Sequence, residues 1–151
     1  MAAKKPLCTF HAVVEAPCGV VAALLTTVSA GPVGPDNAFF LVDGPDPRMR
    51  LRGGPNEFRA AIAGDLNGIR VEVDRAQAMF AVEGQRWFRA ECRVLPHPKG
   101  ARVIQQMFNV ATSGRWIVPM IARGVEGKQR VNMQRLLDRI SEHLGCPAYL
   151  E

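Results

Sequence analysis

The sequence predicts an α+β fold: a curved antiparallel sheet of seven strands, in the order β-α-α-β6-α, wrapped around a long C-terminal helix. Three observations carry this. The stretch Gly114 to Gly145 holds apolar side chains at helical spacing. The middle of the chain, from Arg48 to Val110, alternates apolar and polar side chains at a period of two. Ahead of it, a strand-like segment runs into a proline-led helix. A helix as long as the last one needs a broad apolar surface to lie on, and the strands supply it.

The first strand is Leu7 to Glu15. Pro17 then opens a helix, because proline is tolerated in a first turn where its missing N–H is not needed. Val20, Val21, Leu24, Leu25 and Val28 share one face of that helix. Gly31-Pro32-Val33-Gly34-Pro35 ends the segment, and Asn37 to Val42 reads as a short second helix or a buried turn.

Six strands follow in series. Met49 and Leu51 alternate with arginines, and Phe58, Ala60 and Ile62 with Glu57, Arg59 and Ala61. After the hairpin signal Asn67-Gly68, Ile69, Val71 and Val73 alternate with Arg70, Glu72 and Asp74. Ala78, Phe80 and Val82 come next, then Phe88, Ala90, Cys92 and Val94 opposite Trp87, Arg89, Glu91 and Arg93. The sixth reads as Ile104, Gln106, Phe108 and Val110 inward, opposite Val103, Gln105, Met107 and Asn109. Tight turns between them make an antiparallel meander with one apolar and one solvated face. The arginines of the solvated face stand among Glu57, Glu72, Asp74, Glu83 and Glu91, so cross-strand ion pairing accounts for them better than anion binding.

In the terminal helix, Val118, Ile121, Ala122, Val125, Met133, Leu136, Leu137, Ile140 and Leu144 form the apolar stripe. The helix is expected to run from near Val118, with Pro119 in its first turn, to Gly145, with a loosened turn at Gly124 and Gly127. Gln129 and Asn132 project into the stripe. They face either a wet cavity or, if the helix bends there, solvent.

Composition narrows the functions available. A chain of 151 residues that is 48% apolar is expected to form one domain, residues 1–151, with a real core. No apolar run approaches the roughly 20 residues that span a bilayer, and no signal-peptide core is present, so cytoplasmic residence is the expectation. The net charge of +5, from 19 basic residues of which 15 are arginine, is spread along the chain without a basic block, which argues against nucleic acid. Cys8, Cys18, Cys92 and Cys146 show no zinc-ligand spacing, and no metal or cofactor is expected. Cys92 reads as a buried free thiol.

The element order and lengths resemble the SRPBCC superfamily, the helix-grip domains that include START, birch-pollen-allergen and polyketide cyclase/dehydrase proteins. The resemblance is carried by Ala16-Pro17-x-x-Val20-x-x-x-Leu24-Leu25 after the first strand, and by Pro119-x-x-x-Arg123 leading to Leu136-x-x-Arg139-Ile140, similar to the closing helix of small bacterial members. The chain lacks the tryptophan many bacterial members carry after the first helices. What the resemblance implies is a mostly apolar cavity between sheet and last helix, holding a lipid, polyketide, sterol or aromatic metabolite.

The residues themselves fit binding better than catalysis. The expected cavity set is Phe58, Ile62, Val71, Val73, Phe80, Phe88, Ile104, Gln106, Phe108, Val118, Ile121, Val125, Gln129 and Asn132. No catalytic constellation stands out: His97 lies between prolines, His143 is near the helix end, and His11 has outward parity on the first strand. A cyclase- or dehydrase-like enzyme needs His11 turned inward. An interaction module, with an exposed patch around Phe39, Phe40, Trp116 and Ile117, is a further alternative, and the chain is expected to be a monomer or homodimer. A flavin-binding split barrel is the structural alternative, disfavoured because it does not need so long a terminal helix.

Overall fold

The computed structural model describes residues 5–42, 49–62, 65–84, 88–111 and 124–151, with the backbone alone for 61, 62 and 65–68. Strand β1 (Cys8–Val14) leads through Pro17 into helix α1 (Cys18–Thr26). Val21, Leu25 and Thr26 form the buried side of α1, and the Thr26 hydroxyl donates to the Ala22 carbonyl at 2.7 Å. Val20, expected on the apolar face, is 46% exposed. The segment Phe39–Leu41 is a single 3-10 turn, which resolves the choice between a second helix and a buried turn.

The six-strand series forms as the alternation requires: β3 (Arg50–Gly53), β4 (Glu57–Ile62), β5 (Asp65–Asp74), β6 (Met79–Gly84), β7 (Phe88–His97) and β8 (Gly100–Asn109). Helix α2 (Val125–Leu144) closes the fold. Two short strands add to the expected seven: β2 (Gly31–Pro32) beside β3, and β9 (Ala148–Leu150) beside β1. Both are too short to carry a period, so their pairing is set by position and not by pattern. The sheet runs β2-β3-β4-β5-β6-β7-β8-β1-β9, with neighbouring strands antiparallel. A bulge between Ala60 and Ile62 bends β4 and adds to the curvature.

The β7–β8 turn depends on Gly100. Its φ is 138°, and a Cβ there would lie 2.3 Å from the Ala16 carbonyl oxygen, where no side chain fits.

One expectation is corrected in β8. Pairing sets Met107 opposite Ala90, Gln105 opposite Cys92 and Val103 opposite Val94, so Ala101, Val103, Gln105 and Met107 share the concave face. Ile104, Gln106 and Phe108, expected inside, lie on the convex face with Arg93, Glu91 and Arg89. The cause is that β8 is apolar at both parities, and a one-residue slip exchanges the two faces. A second correction concerns α2, which begins at Val125 after Gly124 at φ 84°, so the helix is not continuous through that point. Val118 and Ile121 lie outside the described residues.

Helix α2 buries Met133, Leu136, Leu137 and Ile140 against the concave face, each worth about 1.5–3 kcal/mol relative to exposure. It ends at Gly145, whose left-handed conformation (φ 66°) lets its N–H reach the Ser141 carbonyl at 2.9 Å. Among the described residues, no helix is long and apolar enough to cross a membrane.

The convex face is held by an ion network across β4 to β7. Arg70 bridges Glu57 (2.9 Å), Glu72 and Glu83 (3.2 Å). Arg89 reaches Glu72 (2.8 Å), Glu83 (2.7 Å) and Glu91 (2.8 Å). Partial burial tends to raise the Glu83 pKa, but its hydrogen bonds to Arg89 and Arg70 win and hold it below the usual 4.5. Burial likewise opposes the charge on Arg89, and its bonds to Glu72, Glu91 and Glu83 more than offset that.

Two outcomes follow from this packing. Leu137→Ala is expected to lower unfolding stability by about 2–5 kcal/mol in urea with little change in slope. Arg89→Leu is expected to destabilise by roughly 2 kcal/mol at neutral pH, because Glu91 loses its partner and Glu72 and Glu83 are left to share Arg70. A carboxylate with a lowered folded pKa contributes stability above its unfolded pKa and loses it as pH falls through the folded value. The part of the gap between wild type and Arg89→Leu that Glu83 carries should therefore narrow as pH falls below its ordinary value of 4.5, which thermal melts across a pH series will read.

Candidate functional site: a cavity under the closing helix

Between the concave face and the stretch of α2 from Gln129 to Arg139, the two surfaces do not meet. The space is a cavity of about 320 Å³. Its sheet wall is Phe80 and Val82 from β6, Phe88 and Ala90 from β7, and Gln105 from β8. The 3-10 turn contributes Phe40 and Leu41, and α2 contributes Gln129, Asn132, Arg135, Leu136 and Arg139. Alternation puts the sheet residues there: Val82 pairs with Ala90 and Phe80 with Cys92, so all point to one side.

The apolar wall is aromatic where sheet and turn meet. Phe40 stacks on Phe80, with centroids 3.8 Å apart and rings inclined by 15°. Next to it, Phe39 is buried under the Arg139 guanidinium, 5.7 Å from its ring centroid, while Arg139 Nη1 donates to the Phe39 carbonyl at 3.1 Å. The polar groups are concentrated on the helix side, except for Gln105.

Gln105 stands opposite Cys92 in the register. Cys92 is fully buried, and burial pushes its thiol up to about 12, a shift that the Gln105 amide hydrogen bond opposes only in part. Cys92 is therefore a neutral, unreactive thiol. The Gln105 Oε1 atom is buried and has no hydrogen-bond partner among the described residues.

Four of the residues expected from sequence line this cavity: Phe80, Phe88, Gln129 and Asn132. Phe58, Val71 and Val73 point to the same side but are packed into the core. Val125 is half-buried near the start of α2 and does not line the cavity. Ile104 is on the convex face, and Gln106 and Phe108 line a separate hollow there, with Pro6, Glu83, Arg89, Glu91, Arg93 and Val110. The side chain of Ile62, like Val118 and Ile121, lies outside the described residues. Phe40, Leu41, Ala90, Gln105, Arg135, Leu136 and Arg139 were not anticipated as lining. Ala90 and Leu136 had a signal in sequence as inward positions of strand and helix, and Gln105 had one in the paired glutamines of β8, of which the outward one was expected inside.

His11 is exposed on the convex side, opposite Ile104. The residues named as lining the cavity include no carboxylate and no imidazole. Among the described residues no group of three or more His, Cys, Asp or Glu is placed to hold a metal ion.

No family model matches the sequence, and no curated protein does. Solved structures do resemble it. A protein from Thermobifida fusca, determined in solution, is 18% identical, with 89% of this chain and 93% of that chain covered and a TM-score of 0.56. A protein from Nitrosospira multiformis is 12% identical, covering 85% of this chain and 93% of that one, with a TM-score of 0.50. Ara h 8.0201 is 10% identical, covering 87% and 98%, with a TM-score of 0.45. At these identities the likeness is one of fold. The curved antiparallel sheet closed by a long C-terminal helix is the helix-grip fold.

In the native protein at about pH 8, Cys92 is expected to resist iodoacetamide and to be alkylated only in denaturant, as a raised thiol pKa and full burial require. Peptide mass spectrometry reads this directly. Rapid native labelling of Cys92 would show that the wall behind the cavity opens.

Proposed function

We propose that the chain, as one domain, binds or carries a small hydrophobic molecule in the cavity between the sheet and α2. The observation that supports this best is the composition of the cavity wall. Phe40, Leu41, Phe80, Val82, Phe88 and Ala90 enclose apolar space, and a few polar side chains gather on the helix side. An apolar pocket with a small number of placed polar groups is the usual design of a small-molecule site. The volume, about 320 Å³, falls at the lower end of the usual range of roughly 300–1,000 Å³. It favours a compact ligand of a few rings over a sterol or a long acyl chain.

Catalysis by the cyclase or dehydrase route has less support. The candidate base, His11, is exposed on the opposite face of the sheet. An interaction patch around Phe39 and Phe40 also has less support, since Phe39 is buried and Phe40 is stacked on Phe80. Trp116 and Ile117, the other half of that patch, lie outside the described residues.

Native mass spectrometry of freshly purified protein, followed by extraction, is the test. A stoichiometric small-molecule adduct is expected, and Ala90→Phe, which fills the space from the sheet side, should abolish it while the melting temperature moves by only a few degrees. An adduct-free protein whose melting temperature ignores a panel of lipids and aromatic compounds would overturn the proposal.

A further inference from the structure

A helix lying over an apolar sheet is expected to turn aliphatic side chains toward it. Along the cavity, α2 does otherwise. Gln129, Asn132, Arg135 and Arg139 recur in steps of three and four, so one stripe of the helix sets amides and guanidiniums opposite Phe80, Val82, Phe88 and Ala90. The two arginines are not equivalent. Arg139 is committed to the 3-10 turn, donating to the Phe39 carbonyl at 3.1 Å and lying over the Phe39 ring. Arg135 is exposed at the solvent side of the cavity, and its side chain makes no hydrogen bond or ion pair with any other described residue. Asp138, three residues on and within reach along a helix, accepts from Gln134 at 2.8 Å instead. On the convex face, by contrast, Arg70 and Arg89 each meet three carboxylates. Among the described residues that line the cavity there is none for Arg135 to meet.

We propose that the cavity takes a compact aromatic carboxylate, and that Arg135 is the specificity-determining residue that holds its anion at the mouth. This rests on the cavity being a ligand site. The ring system packs on the apolar wall, where the stacked Phe40–Phe80 pair supplies an aromatic surface. The carboxylate stays at the solvent side, so it keeps part of its hydration and escapes the cost of full burial. A guanidinium suits it there: it is weakly hydrated, and its planar fork offers a carboxylate two parallel N–H donors. A neutral ligand of the same shape fills the apolar space and forgoes the charge-assisted bonds. Gln129 and Asn132, toward the start of the helix, are uncharged and add no preference for an anion.

The test uses two probes of one shape, 2-naphthoate and its neutral amide, 2-naphthamide, titrated calorimetrically at neutral pH. Wild-type protein is expected to bind the naphthoate about tenfold more tightly, a preference that shrinks as salt rises from about 0.05 M to about 0.5 M. Arg135→Gln should bring the two probes within about twofold by weakening the naphthoate alone, and Arg135→Glu should reverse their order. Arg130→Gln is the control: it removes an exposed arginine of the same helix that lies over Phe10, away from the cavity lining, and should leave the preference in place. The comparison of probes on the wild-type protein stands even if a variant folds poorly. Naphthamide bound as tightly as naphthoate, or more tightly, would overturn the anion class and leave the cavity reading intact. A preference that survives Arg135→Gln, or that Arg130→Gln lowers equally, would overturn the role of Arg135. Binding of neither probe would overturn this inference and the cavity reading together.

Discussion

Strands β7 and β8 pair over their full length, from Phe88 opposite Asn109 to His97 opposite Gly100, and the interior of the protein is decided along that seam. Register here is a choice between two faces, since β8 presents Val103 and Met107 on one side and Ile104 and Phe108 on the other. The turn resolves it. Gly100 passes so close to the Ala16 carbonyl that no other residue fits, which locks the hairpin against the end of β1. Once β8 is set, β1 pairs along its other edge with Cys8 opposite Met107 and Val14 opposite Ala101. Gln105 then stands inside, beside Cys92 and Phe10.

The closing helix divides the concave face into two regions with different physics. From the middle of α2 onward, Met133, Leu137 and Ile140 are fully buried, and hydrophobic burial there anchors the element. In the N-terminal half, Gln129 is half-buried and Asn132 is exposed, and the helix begins abruptly at a left-handed Gly124. That half cannot seal against an apolar sheet without stranding its amides, so space remains beneath it. Stability and the proposed site thus come from the same helix, and Leu136 belongs to both.

Charge plays a different part. The glutamates and arginines of β4 to β7 are on the convex face, where Arg70 and Arg89 each reach three carboxylates. Such a network is partly shielded by its own side chains, so it is worth more than isolated surface pairs while remaining sensitive to pH. The concave side is correspondingly free of carboxylates among the cavity-lining residues.

The amino-acid sequence by itself determined the architecture, because its periods are long and unambiguous where they matter. Alternation in β4 to β7 can only bury Phe58, Val71, Val73, Phe80 and Val94 on one face, and the spacing of Met133, Leu136, Leu137 and Ile140 admits only a helix lying on them. The polar interruption at Gln129 and Asn132 left two readings open in the sequence, a wet cavity or solvent. Tertiary structure alone decided the rest. The parity of β8 is undetermined where both faces are apolar, β2 and β9 are too short to show a period, and the 3-10 turn carrying Phe40 and Leu41 follows no repeat. Gln105 rather than Gln106 faces inward because cross-strand hydrogen bonding with β7, a long-range constraint absent from any local pattern, assigns it there.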